Sequence, residues 1–341
     1  MFNNLNTDVI KLIINNLSLS DLKRLRTTNK DNVEYVKCYD NHNMLRIKRS
    51  LKYWKKSFPN MTSANISRRT DLCDEDFKYL DNTQILRMNL CDQISITDHA
   101  FRYLSKIRDL DLQGCCGHWI GGHHFTDKMF DYLSNLEKFY IDDNHVITSR
   151  GIKKLTKIKD LTISNCSKIT NDGLSNLTTL VKLKIYNLNA LTDDVFQNLT
   201  NLEDLSMTFG HITDRGILYL SNIKKIHISS CQRIKCKDYD KLLKLESLDL
   251  STPINDDNLI YLKKIKNLTL YGCNIKGYRL PYLVNIEELS IYECPIMDEY
   301  LSHLLELKKL KKINIFRCNT ISKFKKSELK VKLNSITFNT D

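Results

Sequence analysis

The chain repeats one short pattern from about residue 61 to its end, and that recurrence limits its architecture more than any other feature. The clearest copy is IKDLTISNCSKITNDGLSNL, residues 158–177, which reads L-x-x-L-x-L-x-x-C-x-x-I-T-x-x-G-x-x-x-L. With the second apolar residue of L-x-x-L-x-L as anchor, copies fall at Ala64, Leu86, Leu110, Phe139, Leu161, Leu183, Leu205, Ile226, Leu248, Leu268, Leu289 and Ile313. A last copy, Leu333-x-x-Ile336-x-Phe338, supplies a thirteenth strand anchored at Ile336. Intervals of 20 to 29 residues sustained over this length mark a stacked-repeat architecture. One such unit cannot cover its own apolar face, so neighbours must stack.

The unit explains its own length. Its L-x-L pair places two side chains on one face of a short strand, because strand side chains alternate. The following I-T-D segment turns the chain, with Thr170, Thr192 and Thr213 placed to cap a helical turn. That turn buries Leu174 and Leu177 in one unit and Phe196 and Leu199 in the next. Asp193 and Asp214, which follow these threonines, are accounted for by capping and the helix dipole. The expected fold class is α/β, a curved solenoid with a parallel sheet on its concave side. The Lys-rich C-terminal segment would close the end of the array.

The ninth template position is cysteine at Cys91, Cys115, Cys166, Cys231, Cys273, Cys294 and Cys318, and asparagine at Asn144. This position turns inward, where a small, weakly hydrogen-bonding side chain suits. The 11 cysteines therefore follow the repeat rather than a disulfide plan, which fits a reducing compartment. A redox or metal-binding thiol ladder is the alternative.

Charge is uneven along the chain. The net charge is +12, but residues 1–60 hold 12 Lys/Arg against 5 Asp/Glu and residues 308–332 hold 10 against 1. A uniformly basic nucleic-acid binder would not look like this, so no nucleic-acid partner is expected. The opening MFNNLNTDVIKLIINNL has Asp8 and Lys11 inside its apolar stretch and lacks a small-residue cleavage site, which argues against a secretory signal. No run approaches the ~18 apolar residues of a membrane span. A cytoplasmic or nuclear location follows, with neither a membrane partner nor an extracellular receptor role.

The repeats resemble the cysteine-containing subclass of leucine-rich repeats. The residues that carry the likeness are Cys166–Gly173, Ile147-Thr-Ser-Arg-Gly151, Leu191-Thr-Asp and Ile212-Thr-Asp-Arg-Gly216. That subclass is typical of F-box/leucine-rich-repeat proteins, and residues 5–26, LNTDVIKLIINNLSLSDLKRLR, look like an F-box. Asn6 stands where that motif usually has proline, and no tryptophan follows in the third helix. The Asn-, Ile- and Lys-rich vocabulary is similar to that of mimivirus-like giant viruses, and equally to that of an AT-biased host such as an amoeba.

The resemblance implies a leucine-rich-repeat solenoid preceded by a small all-α F-box-like head. Residues 1–42 would be the helical F-box-like domain, 43–60 a basic linker helix with Leu45, Leu51 and Trp54 on its buried side, and 61–341 the array. It also implies a substrate-recognition subunit of a cullin-type ubiquitin ligase. Leu5, Val9, Ile10, Ile13, Leu17, Leu22 and Leu25 would then dock a Skp-type adaptor, and the repeats would hold an unidentified protein substrate. The alternative is a plain protein-binding scaffold whose head only covers the first repeat.

On such an array the exposed strand positions read the partner. The column three after each anchor ends in three consecutive aromatics, Tyr271, Tyr292 and Phe316. Aromatics are favoured at binding hot spots because they offer area with few rotors. They form the candidate partner-binding surface, with Tyr186 and Lys184 secondary; packing of the three against one another is the competing reading. One unit is irregular. Its insert, GCCGHWIGGHHF at residues 114–125, holds Cys116, His118, His123 and His124, which could ligand zinc, but its glycines fit a mobile contact loop as well. No phosphate loop, nucleophile elbow or helix-borne His pair is present, so neither an enzyme nor a cofactor is expected.

Overall fold

The computed structural model describes Leu17, Asp21, Arg24, residues 50–89, 95–114 and 125–332, and the backbone of 337–340. The chain divides into two compact units, Met1–Lys168 and Ile169–Asp341.

In the first unit, helix α1 (Leu51–Ser57) precedes five strands, β1 (Ser63–Asn65), β2 (Ile85–Arg87), β3 (Asp109–Leu112), β4 (Lys138–Asp142) and β5 (Asp160–Ser164). Ser50 caps α1 by accepting the Tyr53 N–H at 3.3 Å, and Leu51 and Trp54 are buried beneath it. The basic linker helix expected over 43–60 is described over Leu51–Ser57, and residues 43–49, Leu45 among them, lie outside the described residues.

The second unit holds β6 (Lys182–Tyr186), β7 (Asp204–Thr208), β8 (Lys225–Ser229), β9 (Ser247–Ser251), β10 (Asn267–Tyr271), β11 (Glu288–Tyr292), β12 (Lys312–Phe316), helix α2 (Lys323–Lys332) and β13 (Thr337–Thr340). Within each unit consecutive strands pair in parallel with the anchors directly opposed, as in Leu110↔Phe139, Leu205↔Ile226 and Leu289↔Ile313. The end of the array differs from expectation. Phe338, not Ile336, stands opposite Ile313. A shift of two residues keeps the same side chains on the same face, so alternation alone cannot choose between the two registers.

Each strand from β1 to β12 buries its anchor and the residue two beyond, for example Leu161 with Ile163 and Leu268 with Leu270. The helical turns bury Leu174, Leu177, Phe196 and Leu199. Directly after the strand comes a left-handed residue in most units. Asp143, Asn165, Asn187, Phe209, Ser230, Gly272, Glu293 and Arg317 all have φ between 47° and 61°. Such backbone is costly for a residue with a side chain. Here it extends the ladder by one bond: Ser230 N–H donates to Ser251 O at 2.8 Å and Glu293 N–H to Phe316 O at 3.1 Å. It also swings the next residue inward. Cys166, Cys231, Cys273, Cys294 and Cys318 are buried, and their thiols donate to nearby carbonyls, such as Cys166 Sγ to Ser164 O at 3.1 Å. Asn144 fills the same place with Nδ2 on Phe125 O at 3.1 Å and Oδ1 accepting from Val146 and Ile147 N–H.

The Thr-Asp segments tie one repeat to the next. Thr97, Thr126, Thr148 and Thr213 cap their own turns by accepting an N–H two residues on. Each also donates its hydroxyl to an aspartate of the preceding repeat, Asp74, Asp98, Asp127 and Asp193, at 2.5–2.6 Å. Asp193 is therefore more than an element of its own helix start; its carboxylate reaches the following unit. Asp214 likewise accepts backbone N–H from Lys235, Cys236 and Lys237 of the next unit. Thr170 and Thr192 occupy the cap position without the side-chain bond. At Thr192 the tie is reversed: Asn171 replaces the aspartate, and its amide donates to the Thr192 hydroxyl at 2.6 Å.

Candidate functional site

Parallel pairing in register brings Tyr271, Tyr292 and Phe316 onto adjacent strands at the same level. Their rings stack. Tyr271 and Tyr292 lie 6.2 Å apart between centroids at 29°, and Tyr292 and Phe316 5.5 Å apart at 8°. Such contacts contribute about 0.5–1.5 kcal/mol beyond area burial. Stacking and exposure coexist here: Tyr271 remains 44% exposed, and Tyr292 and Phe316 are half-buried. The same column on β9 holds Ser251, too small to cover the free face of Tyr271.

The left-handed residues form a polar rim beside the stack. Glu293 beside the Tyr271 hydroxyl pushes the phenol up, and Tyr271 and Arg317 hold the Glu293 carboxyl below its ordinary value. Arg317 Nη1 donates to Glu293 Oε1 at 3.1 Å. A cavity of about 450 Å³ opens at this pair, lined also by Pro295, Asn319 and Thr320. Below the rings, Asn314 Nδ2 donates to Ser290 Oγ at 2.8 Å. The strip is thus held from both sides, with an aromatic centre and a charged edge.

Lys184 and Tyr186 belong to a different patch. They lie on β6, four strands from β10, about 19 Å at ordinary strand spacing. Tyr186 is half-buried, and that burial pushes its phenol up. Nearby on the same face His227 Nδ1 meets Asp249 Oδ2 at 2.9 Å. The carboxylate pushes the imidazole up, while burial and Lys184 oppose it. This pair lies in the column one after the anchors, where the sequence places it without showing that the two side chains meet.

In the first unit the same face is polar. Arg87 forks onto Asp109 at 2.5 and 2.8 Å, in a shallow cavity of about 240 Å³ bounded by Lys138, Tyr140 and Asp160. Of the adaptor-docking set, Leu5, Val9, Ile10, Ile13, Leu22 and Leu25 lie outside the described residues, and Leu17 is half-buried in a bend. Cys116, His118, His123 and His124 of the insert also lie outside them. Among the described residues no group of three or more His, Cys, Asp or Glu is arranged to hold a metal. Among them, too, no helix is long and apolar enough to cross a membrane.

No family model matches the sequence, and no curated protein matches it. The solved structures it resembles include an internalin from Listeria monocytogenes, 17% identical, with a TM-score of 0.61 over 98% of this chain and 94% of that chain. The fold is a leucine-rich-repeat solenoid. At that identity the likeness speaks for the fold alone. Among the described residues, the strand columns carry an aromatic strip, a His–Asp pair and an Arg–Asp fork.

Proposed function

We propose that this chain is a non-catalytic recognition protein that holds a protein partner on the solvent face of its strands. Tyr271, Tyr292 and Phe316 form the centre of the contact, and Lys184 and Tyr186 an outlying part. The observation that carries this reading is the stacked strip itself. Three aromatic rings already immobilised by one another lose little further freedom on binding, which is where affinity is usually lost. Aromatic centres with polar rims are also the usual anatomy of interface hot spots.

The test compares proteins retained by the immobilised wild-type chain with those retained by a variant carrying alanine at 271, 292 and 316. A partner of this face is lost from the variant; a partner set that is unchanged rejects the reading. Folding is checked in parallel. Tyr292→Ala should cost about 1 kcal/mol, against about 2–5 kcal/mol for Leu161→Ala in the core.

The finer reading is a substrate-recognition subunit of a cullin-type ubiquitin ligase, in the cytoplasm or nucleus, of a virus-infected host cell if the vocabulary of the chain is viral. It is supported by the F-box-like pattern of residues 5–26. In that role Leu5, Val9, Ile10, Ile13, Leu17, Leu22 and Leu25 dock a Skp-type adaptor while the strands present the target. Co-purification of such an adaptor with the intact chain, lost on Leu22→Asp, supports it. An intact chain that binds no adaptor leaves the plain scaffold.

A further inference from the structure

Two of the repeats that lack the Thr-Asp tie put basic residues in its place. Where the unit before has Thr213, the next has Lys235, followed by Cys236 and Lys237. Asp214 receives the backbone N–H groups of all three at 2.9–3.2 Å. Two units later Asp256 receives those of Lys276, Gly277 and Arg279 at 2.7, 2.7 and 3.4 Å. Backbone N–H groups solvate both carboxylates, which leaves the side chains of Lys235, Lys237 and Arg279 to serve another purpose.

Those three side chains line one cavity of about 550 Å³, together with Asp257, Tyr261 and Tyr282. Its size suits a small ligand or one modified side chain. Arg279 is fixed in place. Its guanidinium lies 5.3 Å from the Tyr282 ring and 5.8 Å from the Tyr278 ring, Nη1 donates to the Tyr282 hydroxyl at 3.1 Å, and Nε is 3.6 Å from Asp257 Oδ1. Lys235 is tethered by its Nζ to Pro253 O at 3.0 Å. Asp257, the one carboxylate on the wall, also accepts from the Tyr278 hydroxyl at 3.3 Å. On the lining itself three cations face one carboxylate, beside aromatic walls and Ile260, while Asp214 and Asp256 lie behind it on the backbone N–H groups.

Three cationic side chains converging on one lining match an anion with several oxygens better than a single carboxylate. Lys ammonium and Arg guanidinium groups together suit the several oxygens of a phosphoryl group. The aromatic walls suit a flat or apolar group bonded to it. We propose that this cavity binds a phosphate monoester dianion. Lys237 and Arg279 hold the phosphoryl oxygens, Lys235 adds its charge, and Tyr261 and Tyr282 pack on the esterified group. The site is built from the turns that follow the strands, so it is separate from the aromatic strip.

Titration calorimetry of the full chain with phenyl phosphate, phenol, inorganic phosphate and a short phosphotyrosine peptide tests this. Wild type should bind phenyl phosphate saturably and phenol not at all. Lys237→Ala, at an exposed position, should keep the wild-type melting temperature and lose at least about tenfold in affinity, as expected for one charge-assisted hydrogen bond. Arg279→Gln should do the same. A peptide that binds tenfold tighter than phenyl phosphate would place the monoester on a protein, and equal affinity would point to a free small ester. The proposal fails if wild type does not bind phenyl phosphate, if both variants bind as wild type does, or if inorganic phosphate binds as tightly as the ester.

Discussion

Asp193 and Thr213 are joined twice across a repeat boundary: the carboxylate accepts the Thr213 backbone N–H at 2.7 Å and its hydroxyl at 2.6 Å. The hydroxyl in turn accepts the Arg215 N–H at 3.3 Å, so one threonine links two repeats and caps a turn. Gly216 lets the two come this close, since a Cβ there would lie 2.6 Å from Asp193 Oδ1 and 3.0 Å from its Cα.

Removing the carboxylate leaves a part-buried N–H and hydroxyl without their acceptor. Asp193→Ala should destabilise the chain by about 1–3 kcal/mol. Urea unfolding of the two proteins measures it. A change below about 0.5 kcal/mol, the range of ordinary surface substitutions, would mean the tie contributes nothing.

Two of the inward cysteines, Cys166 and Cys231, should be inert. Burial pushes the Cys166 thiol up to about 12 and raises Cys231 as well. The thiolate is the reactive form, so neither should react near neutral pH. Cys73 is exposed and should be the described cysteine that iodoacetamide labels in the native protein. Peptide mass spectrometry reads each site separately. Native labelling of Cys166 at the rate of Cys73 would contradict this.

The His227–Asp249 contact should be visible in a histidine titration. The hydrogen bond raises the His227 pKa above its ordinary 6.5. Folding therefore favours the protonated imidazole. Any stability from the pair is present below pH 6.5 and is lost as pH rises through the folded pKa. Both side chains are nearly half exposed, so the effect on stability is small and the titration is the better readout. NMR should find His227 above 6.5 and Asp249→Asn should lower it. An unchanged value in the variant would remove Asp249 as the cause.

Much of the architecture was legible because its signal is periodic. Every anchor from Ala64 to Ile313 lies in a described strand, since two apolar residues one apart recur at nearly constant spacing. The register at Phe338 escaped because alternation alone cannot tell it from a register two residues earlier. The Asp–Thr tie escaped because each aspartate also reads as a local helix-start residue, and its partner is about 20 residues away. The left-handed column escaped too. Asn165 and Asn187 suit that conformation, but Phe209, Glu293 and Arg317 carry no local signal for it. The aromatic strip was legible as a column of residue types; its stacking depends on ring orientations that spacing cannot supply. The cationic cavity was not, because its residues come from three consecutive repeats and none belongs to the template.

Site-specific photo-crosslinking is the most direct test that a partner sits on the aromatic strip. A benzophenone side chain replaces Tyr271 in one protein and Leu243, 77% exposed on a turn, in another. Irradiation of each in extract should give a discrete adduct from position 271 that is absent from position 243 and weakened by Phe316→Ala. The same adducts from both positions, or none from 271, would mean that no partner sits on the strip.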